Sequence, residues 1–249
     1  MAGTSTSADK GTAVVTGGSS GIGRAFVASL HRSGWRVVTC GRDADKLDQL
    51  AQAFPGIHTY LCDVSDKASV VAFVALVSAA FLDIKLLVNN AGGLRELDFT
   101  QPDLLQQDLT QEIRANLEGS IHMTAGFLPS LRASTPSRII MVSSGFGLLP
   151  ATRAPIYSAS KAGLRSFTKA LRRQLDGQGI TITDVAPPSV DTPATAHYQA
   201  NKISPEQVVA LTLAAAWRGQ AEVYPGMARW LPLMMRLAPG LIARIVAKG

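Results

Sequence analysis

Cysteine is scarce in this chain, which has two cysteines among 249 residues, Cys40 and Cys62. Two are too few for a disulfide-rich scaffold, and they match no zinc-binding pattern. The four histidines also lack the spacing of metal ligands or of a catalytic triad; they are His31, His58, His122 and His197. We therefore assign no metal, and we expect two buried free thiols in a reducing compartment.

The chain also lacks a long apolar segment and a secretory leader. The longest stretch without a charge, residues 68–82, is shorter than the ~20 residues that a membrane-spanning helix requires. The polar start, MAGTSTSADKG, contains no apolar signal core. We therefore expect a cytoplasmic protein.

Basic residues are in excess, but they form no stripe. The chain has 24 Lys and Arg against 18 Asp and Glu, a net charge of +6. The basic residues are scattered until the tail, whereas nucleic-acid binders usually concentrate them. We expect no nucleic-acid partner; a phosphate-bearing cofactor and a basic tail account for much of the excess.

Aromatic residues are sparse at 6%, whereas hydrophobic residues reach 47%, as is typical of sheets buried on both faces. Strand-like and helix-like segments alternate along the chain. The predicted strands are residues 12–16, 36–40, 57–62, 84–89, 138–144, 180–186 and 221–224, and the predicted helices are residues 22–33, 43–54, 66–81, 110–133, 157–175 and 205–217. This alternation predicts an α/β fold, a doubly wound parallel sheet with helices on both faces. We expect a single domain over residues 1–249, with a core at 10–225 and a helical tail at 226–249.

Two segments interrupt this alternation, residues 93–109 after the fourth strand and residues 187–204 after the sixth. Both follow the carboxyl ends of strands, where ligands bind in open α/β sheets. We therefore expect these loops to hold substrate, with Leu94, His197 and Tyr198 as possible lining residues.

A glycine-rich turn follows the first strand, with the sequence TGGSSGIG at residues 16–23. Glycines in such a turn permit a tight bend, close approach of a pyrophosphate and close packing of the next helix. The amino end of that helix favours phosphate. A purely structural glycine turn is the alternative. The predicted phosphate-binding residues are Gly17, Ser19, Ser20, Gly21, Ile22 and Gly23.

The end of the second strand indicates which dinucleotide binds. It reads Cys40-Gly41-Arg42 and lacks the acid that would bind the adenosine ribose hydroxyls. Because a guanidinium can bind a 2′-phosphate in fork geometry, Arg42 favours NADP(H) over NAD(H), which stays possible. The alternative is a solvated surface arginine, and the adjacent Asp43 weakens the case.

Polar residues and glycines also end strands three and four. Asp63, followed by Val64, either accepts a hydrogen bond from the adenine amine or only caps the next helix. The sequence Asn89-Asn90-Ala91-Gly92 ends strand four. There the asparagines fasten neighbouring loops, and glycine keeps the approach of the cofactor open. We include Asp63, Val64, Asn90, Ala91 and Gly92 among the cofactor-binding residues.

The reacting groups follow the fifth strand. Ser144 ends that strand, and Tyr157 and Lys161 follow on a predicted helix, four residues apart and therefore on one face. A free phenol has a pKa of about 10, and a neighbouring ammonium favours the phenolate. We expect Ser144 to hold the substrate oxygen, Tyr157 to exchange a proton with it, and Lys161 to grip the nicotinamide ribose.

Asn116 lies inside a predicted helix, where asparagine is a poor choice. It would bend the helix and hold a water that links Lys161 to solvent. The alternative is an ordinary surface asparagine.

Together these motifs resemble the short-chain dehydrogenase/reductase family. The resemblance covers residues 10–225 and rests on TGGSSGIG, Asp63-Val64, NNAG at 89–92, Asn116, Ser144 and YSASK at 157–161. It implies a Rossmann-like sheet of about seven strands, the catalytic residues Asn116, Ser144, Tyr157 and Lys161, and a homodimer or homotetramer. It also implies hydride transfer between nicotinamide and a carbonyl or secondary alcohol. A cofactor sensor or scaffold on the same fold is the alternative.

The loop after strand six departs from the family pattern, because Pro187-Pro188 replaces the usual Pro-Gly. The second proline removes an amide donor and stiffens the loop. The stretch APPSVDTP at 186–193 resembles bacterial oxidoreductases of unsettled function, including one encoded with lipoteichoic-acid D-alanylation genes, and also 3-ketosphinganine reductase. We expect Pro187, Val190 and Thr192 to contact the cofactor, and Phe146 and Pro188 to contact the substrate with Ser144 and Tyr157.

The carboxyl end is longer than in many family members. It places basic side chains in one helical sector, Arg229, Arg236, Arg244 and Lys248, and apolar ones largely elsewhere, Trp230, Leu231, Met234, Leu237, Leu241, Ile245 and Val246. Pro232 and Pro239 start or kink helices. Three interpretations stay open: a helix docked on its own domain or on a sister subunit, a peripheral membrane contact, or an apolar lid over the active site. The last two indicate a hydrophobic substrate.

Overall fold

One parallel sheet of seven strands organises the molecule. The computed structural model describes residues 10–196, 201–237 and 240. The strands are β1 Thr12–Thr16, β2 Arg36–Gly41, β3 His58–Leu61, β4 Ile84–Asn89, β5 Ser137–Val142, β6 Ile180–Val185 and β7 Glu222–Val223. Their order across the sheet is β3-β2-β1-β4-β5-β6-β7, and every pair is parallel. The predicted fold class, a doubly wound sheet with seven strands, is confirmed.

Helices cover both faces of the sheet. The α-helices are α1 Gly21–Arg32, α2 Ala44–Ala53, α3 Lys67–Ala80, α4 Gln111–Ile113, α5 Gly119–Ala133, α6 Pro155–Gln174, α7 Pro205–Trp217 and α8 Leu231–Leu237. Helices α1, α2, α3, α6 and α7 agree with the predicted helices to within two residues. Residues 110–133 form α4, a π-helical turn at Arg114–Glu118 and α5, and α8 lies within the predicted helical tail at 226–249. Short 3-10 helices at Leu104–Gln106, Gly145–Gly147, Pro193–Thr195 and Gly226–Trp230 were not predicted separately.

Two hydrophobic cores lie on opposite faces of the sheet because successive strand residues point to opposite sides. Val14 joins Phe73 and Phe127 in one core, whereas Val15 joins Phe26 and Val208 in the other. The central strands are therefore apolar on both faces, as their near-continuous Val, Leu and Ile runs require. Cys40 and Cys62 are buried free thiols in the first core.

The strand order reverses between β1 and β4, which are paired although β2 and β3 separate them in sequence. At such a reversal the following loops turn to opposite faces of the sheet and leave a crevice at the carboxyl ends of the strands. The glycine-rich turn follows β1, and the NNAG segment begins in β4 and continues beyond it. Chain topology alone therefore brings these two motifs together.

The tail continues from β7 through the 3-10 helix Gly226–Trp230 into α8. Pro232 is the second residue of α8, where it costs no helical hydrogen bond. The predicted tail residues Leu241, Arg244, Ile245, Val246 and Lys248 lie outside the described residues, as does Pro239. None of the described helices is both long and apolar enough to cross a membrane.

Candidate active site

The glycine-rich turn leaves β1 by an unusual backbone path. Gly17 has φ of 68° and Gly21 has φ of 51°, conformations that favour glycine. A Cβ on Gly23 would lie 2.0 Å from the Gly17 carbonyl oxygen, so only glycine lets α1 start this close to the strand. Ser19, Ser20, Gly21 and Ile22 are at least partly accessible at the amino end of α1. A turn of this shape can receive a pyrophosphate on exposed amides.

The turn is fastened to the end of β4. Asn90 donates through Nδ2 to the carbonyl of Thr16 at 3.0 Å, and the backbone amides of Asn90 and Ala91 both donate to Oγ1 of Thr16 at 3.0 Å. Gly92 is exposed beside this junction. Asn89 points inward instead and donates to Oγ1 of Thr124 at 2.9 Å. Asn90 therefore joins the segment after β4 to the glycine-rich turn, whereas Asn89 joins the end of β4 to α5.

The end of β2 presents Arg42 to solvent. Its guanidinium is 4.0 Å from Oδ2 of Asp63, and its side chain is 64% exposed. Asp43 is engaged elsewhere, because it accepts from the Lys46 amide at 3.1 Å, where it caps α2, and pairs with the Lys46 ammonium at 2.8 Å. The carboxylate that weakened the sequence argument for Arg42 is therefore tied to the helix.

Asp63 follows β3 and faces the same edge of the sheet. Its Oδ1 accepts from the amide and hydroxyl of Ser65 at 2.9 and 2.7 Å. Burial raises the pKa of Asp63, but the hydrogen bonds from Ser65 and the nearby Arg42 outweigh that effect, and the pKa is lowered. Val64 beside it is buried.

Ser144, Tyr157 and Lys161 converge at the end of β5. Ser144 is 9% exposed and accepts from the Phe146 amide at 3.1 Å. Nζ of Lys161 lies 5.8 Å from the centre of the Tyr157 ring, close enough for the ammonium to act on that ring. The rings of Tyr157 and Phe146 meet edge to face, with centres 6.3 Å apart. The predicted common face of Tyr157 and Lys161 is thus directed toward the strand ends.

Lys161 is almost wholly enclosed, with 5% of its surface exposed. Its ammonium donates to the carbonyl of Val142 at 2.8 Å. Burial lowers its pKa to about 8, and the carboxylate of Asp184 acts in the opposite direction. The side chain is therefore still mainly charged at pH 7.

Asn116 lies in the π-helical turn and is fully buried. Its amide bonds both backbone groups of Gly93, accepting from the amide at 2.9 Å and donating to the carbonyl at 3.0 Å, and it donates to Oγ of Ser160 at 3.0 Å. Asn116 therefore ties the segment after β4 to α6. Single π turns often mark functional positions in helices.

The loop after β6 closes the site from the other side. The Gly145 amide donates to the carbonyl of Pro187 at 3.0 Å. A Cβ on Gly21 would be 3.1 Å from Cγ2 of Thr192, so this loop reaches the glycine-rich turn. Val190 is buried and forms a β-bridge with Ile203. His197 and Tyr198 lie outside the described residues.

Several residues at this site escaped the sequence reasoning. Thr16 accepts hydrogen bonds from two residues after β4 and was visible as the first residue of the glycine motif. Arg165 is four residues after Lys161 and therefore on its face, which was an available signal. Leu231 was predicted only as one of the apolar side chains of the tail, for which a lid over the active site was one interpretation; its Cδ1 lies 3.4 Å from where a Gly145 Cβ would be.

The strand order of this parallel sheet reverses, and a glycine-rich turn lines the crevice that forms there. This arrangement is typical of doubly wound nucleotide-binding proteins. Within that class, the family model described as short chain dehydrogenase matches residues 11–203. The chain belongs to the short-chain dehydrogenase family. It is an oxidoreductase of that family, acting on CH–OH and C=O groups.

Similar proteins agree with this assignment. The chain is 36% identical to the uncharacterized oxidoreductase DltE of Bacillus subtilis (strain 168) over 184 residues, which cover 73% of this chain and 72% of that protein. It is 30% identical to the uncharacterized oxidoreductase SA2266 of Staphylococcus aureus (strain N315) over 208 residues, covering 82% and 89%. The sequence analysis predicted a resemblance to a branch of bacterial oxidoreductases of unsettled function. DltE and SA2266 are such oxidoreductases, so this prediction is confirmed.

A solved structure has the same fold. A short chain dehydrogenase from Burkholderia cenocepacia J2315, crystallised in complex with NADP, superimposes with a TM-score of 0.84. The match covers 95% of this chain and 97% of that chain at 25% identity.

Proposed function

We propose that this protein is an NADP(H)-dependent carbonyl reductase or alcohol dehydrogenase. The observation that carries the proposal is the approach of the buried Lys161 ammonium to the Tyr157 ring, 5.8 Å from its centre. This pair lies beside Ser144, at the strand ends where the glycine-rich turn and the loop bearing Thr192 also lie. A phenol, an ammonium and a hydroxyl in this arrangement suit proton transfer to or from a substrate oxygen.

The cofactor itself supplies or accepts the hydride when it is bound. Ser144 donates a hydrogen bond to the substrate oxygen and orients it toward Tyr157. In reduction, Tyr157 gives its proton to that oxygen as the carbonyl becomes an alcohol; in oxidation, its phenolate takes the proton back. Lys161 stabilises the phenolate by its charge and binds the nicotinamide ribose, while Asn116 holds the adjoining loop.

The residues that line the crevice fit a dinucleotide. Glycine at positions 17, 21 and 23 leaves a cradle that a Cβ would fill. We assign to cofactor binding Gly17, Ser19, Ser20, Gly21, Ile22, Gly23, Arg42, Asp63, Val64, Asn90, Ala91, Gly92, Tyr157, Lys161, Pro187, Val190 and Thr192. We assign Phe146 and Pro188 to the substrate side, because the ring of Phe146 meets Tyr157 and Pro188 adjoins Gly226 of the tail.

Arg42 supports a preference for NADP(H), since it is exposed and Asp43 is committed to Lys46. The NADP complex of the Burkholderia relative supports the same preference. We expect Arg42→Gln to weaken NADPH binding by about tenfold or more, because a charge-assisted bond contributes roughly 1.5–3 kcal/mol, and to change NADH binding little. The measurement is titration of each dinucleotide by fluorescence.

Arg36→Gln is the matched control, because Arg36 starts the strand that Arg42 follows and pairs with Asp83 at the opposite edge. It should leave both affinities unchanged. An equal loss of NADPH and NADH affinity in Arg42→Gln would argue against 2′-phosphate recognition.

Tyr157→Phe tests the catalytic assignment. We expect it to reduce turnover by at least about a thousandfold, since the proton donor is removed, and to leave NADPH binding intact. The assay follows NADPH consumption over short ketones, steroids, quinones and long-chain 3-keto compounds, with NADH in parallel. Retained turnover in Tyr157→Phe would refute the role.

We further propose a single catalytic domain, with its core at residues 10–225 and a tail at 226–249, that assembles as a homodimer or homotetramer in the cytoplasm. The exposed apolar side chains of the tail favour a hydrophobic substrate and a peripheral membrane contact; among them are Met227 at 74%, Trp230 at 51%, Leu233 at 49% and Leu237 at 73%.

A further inference from the structure

Glu96 and Arg153 join two loops at the substrate side of the site. Nε of Arg153 lies 2.7 Å from Oε1 of Glu96, and the amide of Leu97, the next residue, donates to the Arg153 carbonyl at 2.9 Å. Glu96 belongs to the loop after β4, and Arg153 lies just before α6. We call this ion pair and its adjacent backbone bond the Glu96–Arg153 clasp. The clasp connects the loop after β4 to the start of the helix that carries Tyr157.

The backbone on each side of the clasp is held by further hydrogen bonds. On the Arg153 side, the Ala151 amide donates to Oγ of Ser158 at 3.1 Å, and the Ala154 amide donates to the Ala151 carbonyl at 3.1 Å. On the Glu96 side, the neighbouring Arg95 amide donates to Oε1 of the buried Glu112 at 2.9 Å. The clasp therefore connects two backbone segments whose positions are already fixed.

Arg153 also contacts the ring of Phe146. Its Cζ lies 5.6 Å from the centre of that ring, within the range of a cation–ring attraction. The same ring meets the ring of Tyr157 edge to face, with centres 6.3 Å apart and an angle of 87° between the planes. A series of three contacts therefore leads from the loop after β4 to the Tyr157 phenol.

Stability is a weak reason for the clasp. The side chain of Arg153 is 26% exposed and that of Glu96 is 42% exposed, and ion pairs this accessible contribute little to folding. A paired guanidinium is nevertheless restricted in direction, because its planar fork must face the carboxylate. The main effect expected of the clasp is therefore on the placement of Phe146 rather than on the free energy of unfolding.

Phe146 lies next to the groups assigned to proton transfer. Its amide donates to Oγ of Ser144 at 3.1 Å, and both Phe146 and Tyr157 are partly exposed. A ketone whose oxygen is held by Ser144 and Tyr157 therefore places a substituent close to the Phe146 ring. Holding that ring against the phenol reduces the room for a bulky substituent.

We propose that Glu96 and Arg153 are positioning residues that determine specificity: they hold Phe146 against Tyr157 and thereby disfavour ketones with a bulky group at the carbonyl. The proposal rests on the proposed function for its effect on selectivity. Its physical content, an effect of Glu96 on Phe146 through Arg153, is measurable without substrate or cofactor.

The first test is fluorine NMR of the cofactor-free protein labelled with 4-fluorophenylalanine. Phe146→Leu identifies the resonance of Phe146 among the eight phenylalanines. We expect Glu96→Gln to shift that resonance, because the guanidinium beside the ring is no longer fixed, and to leave the other phenylalanine resonances in place. When Arg153→Met is already present, adding Glu96→Gln should not move the Phe146 resonance further, since the contact that transmits the effect is gone.

Asp108→Asn is the matched control, because Asp108 lies in the same loop and forms an ion pair with Arg114. It should leave the Phe146 resonance unchanged. An unchanged Phe146 resonance in Glu96→Gln, or an equal shift in Asp108→Asn, overturns the proposal. A clasp that only stabilised the loop would lower the melting temperature without a shift confined to Phe146.

The second test compares two ketones with NADPH: one with an aryl group at the carbonyl and one short methyl ketone. The measured quantity is the ratio of kcat/KM for the aryl ketone to kcat/KM for the methyl ketone. Arg153→Met should raise this ratio about threefold, since a cation–ring contact corresponds to a factor of roughly two to five. Arg153→Lys keeps the charge and should lie nearer the parent, and the KM for NADPH should change little in either variant.

Phe146→Ala shows whether Arg153 acts through the ring. It should raise the same ratio by about tenfold or more, because it removes the group that limits the space. Adding Arg153→Met to Phe146→Ala should then change the ratio no further. If Arg153→Met does not fold, Glu96→Gln alters only a partly exposed side chain and should change the ratio in the same direction.

Three results would overturn the role in specificity. The ratio could stay unchanged or fall in Arg153→Met. It could rise equally when Phe146→Ala is already present, which would mean that Arg153 acts on the substrate directly. Arg153→Met could also impair only ketones that carry a carboxylate, which would make Arg153 an anion-binding residue. If the parent reduces no ketone while Glu96→Gln shifts the Phe146 resonance, the proposed function is refuted and the effect of the clasp on Phe146 is supported.

Discussion

Lys161 shows how burial and charge compete at a single residue. The site needs an ammonium, yet enclosure lowers the pKa of Lys161 to about 8, well below the ordinary 10.5. The charged form is therefore kept at neutral pH at a cost in folding free energy, and Asp184 reduces that cost. Lys161 therefore stays mainly charged at pH 7 but loses its proton at moderately alkaline pH.

The pH dependence of stability follows from this shift. Below pH 8 Lys161 binds a proton in both the folded and the unfolded chain, so its contribution is constant. Between pH 8 and 10.5 the unfolded chain binds more protons, and stability due to this group rises with pH. Relative to Lys161→Met, the wild-type free energy of unfolding should therefore increase by roughly 2 kcal/mol between pH 8 and 10.

Urea denaturation of both proteins at each pH measures this difference, and the comparison cancels the titration of other groups. A difference that is constant with pH, or that shrinks as pH rises, would mean that Lys161 keeps an ordinary affinity for its proton in the folded protein.

At the scale of elements, the sequence pattern predicted the sheet well because its signals are local. Strands buried on both faces require apolar runs, and helix starts such as Asp43 and Asp66 carry side chains that cap the first amides. The π-helical turn was only partly foreseen: Asn116 indicated an irregular helix, but its bonds to Gly93 and Ser160 depend on segments 23 and 44 residues away.

The same distinction applies to the candidate site. The glycine turn and the Tyr157–Lys161 spacing are short patterns that the chain displays directly. Arg165 of α6 instead pairs with Asp184 of β6 and with Glu222 of β7, and no pattern within a single element places these carboxylates beside it. Long-range pairs of this kind become visible only when the order of strands across the sheet is known.

At the scale of the whole molecule, the tail divides into an inner and an outer side. Leu231 points inward, with Cδ1 3.4 Å from the Cβ position of Gly145, next to Ser144. Leu237, six residues later, is 73% exposed. The three sequence-based interpretations of the tail are therefore separable, since the inward side suits a wall of the substrate site and the outward side suits a membrane or a sister subunit.

Two leucine variants of the same tail helix test this division. Leu231→Ala removes an apolar contact near Ser144, so we expect the KM for long-chain 3-keto compounds to rise about tenfold, since burying a leucine side chain contributes roughly 1.5–3 kcal/mol, with little change for short ketones. Leu237→Ala should leave both KM values unchanged but weaken co-sedimentation with anionic liposomes, because it removes exposed apolar surface.

If Leu237→Ala alone changed the KM, or Leu231→Ala alone changed liposome binding, the inner and outer sides would be wrongly assigned. If neither variant changed either measurement, α8 would be neither lid nor membrane contact, and a helix docked on its own domain or on a sister subunit would be the remaining interpretation.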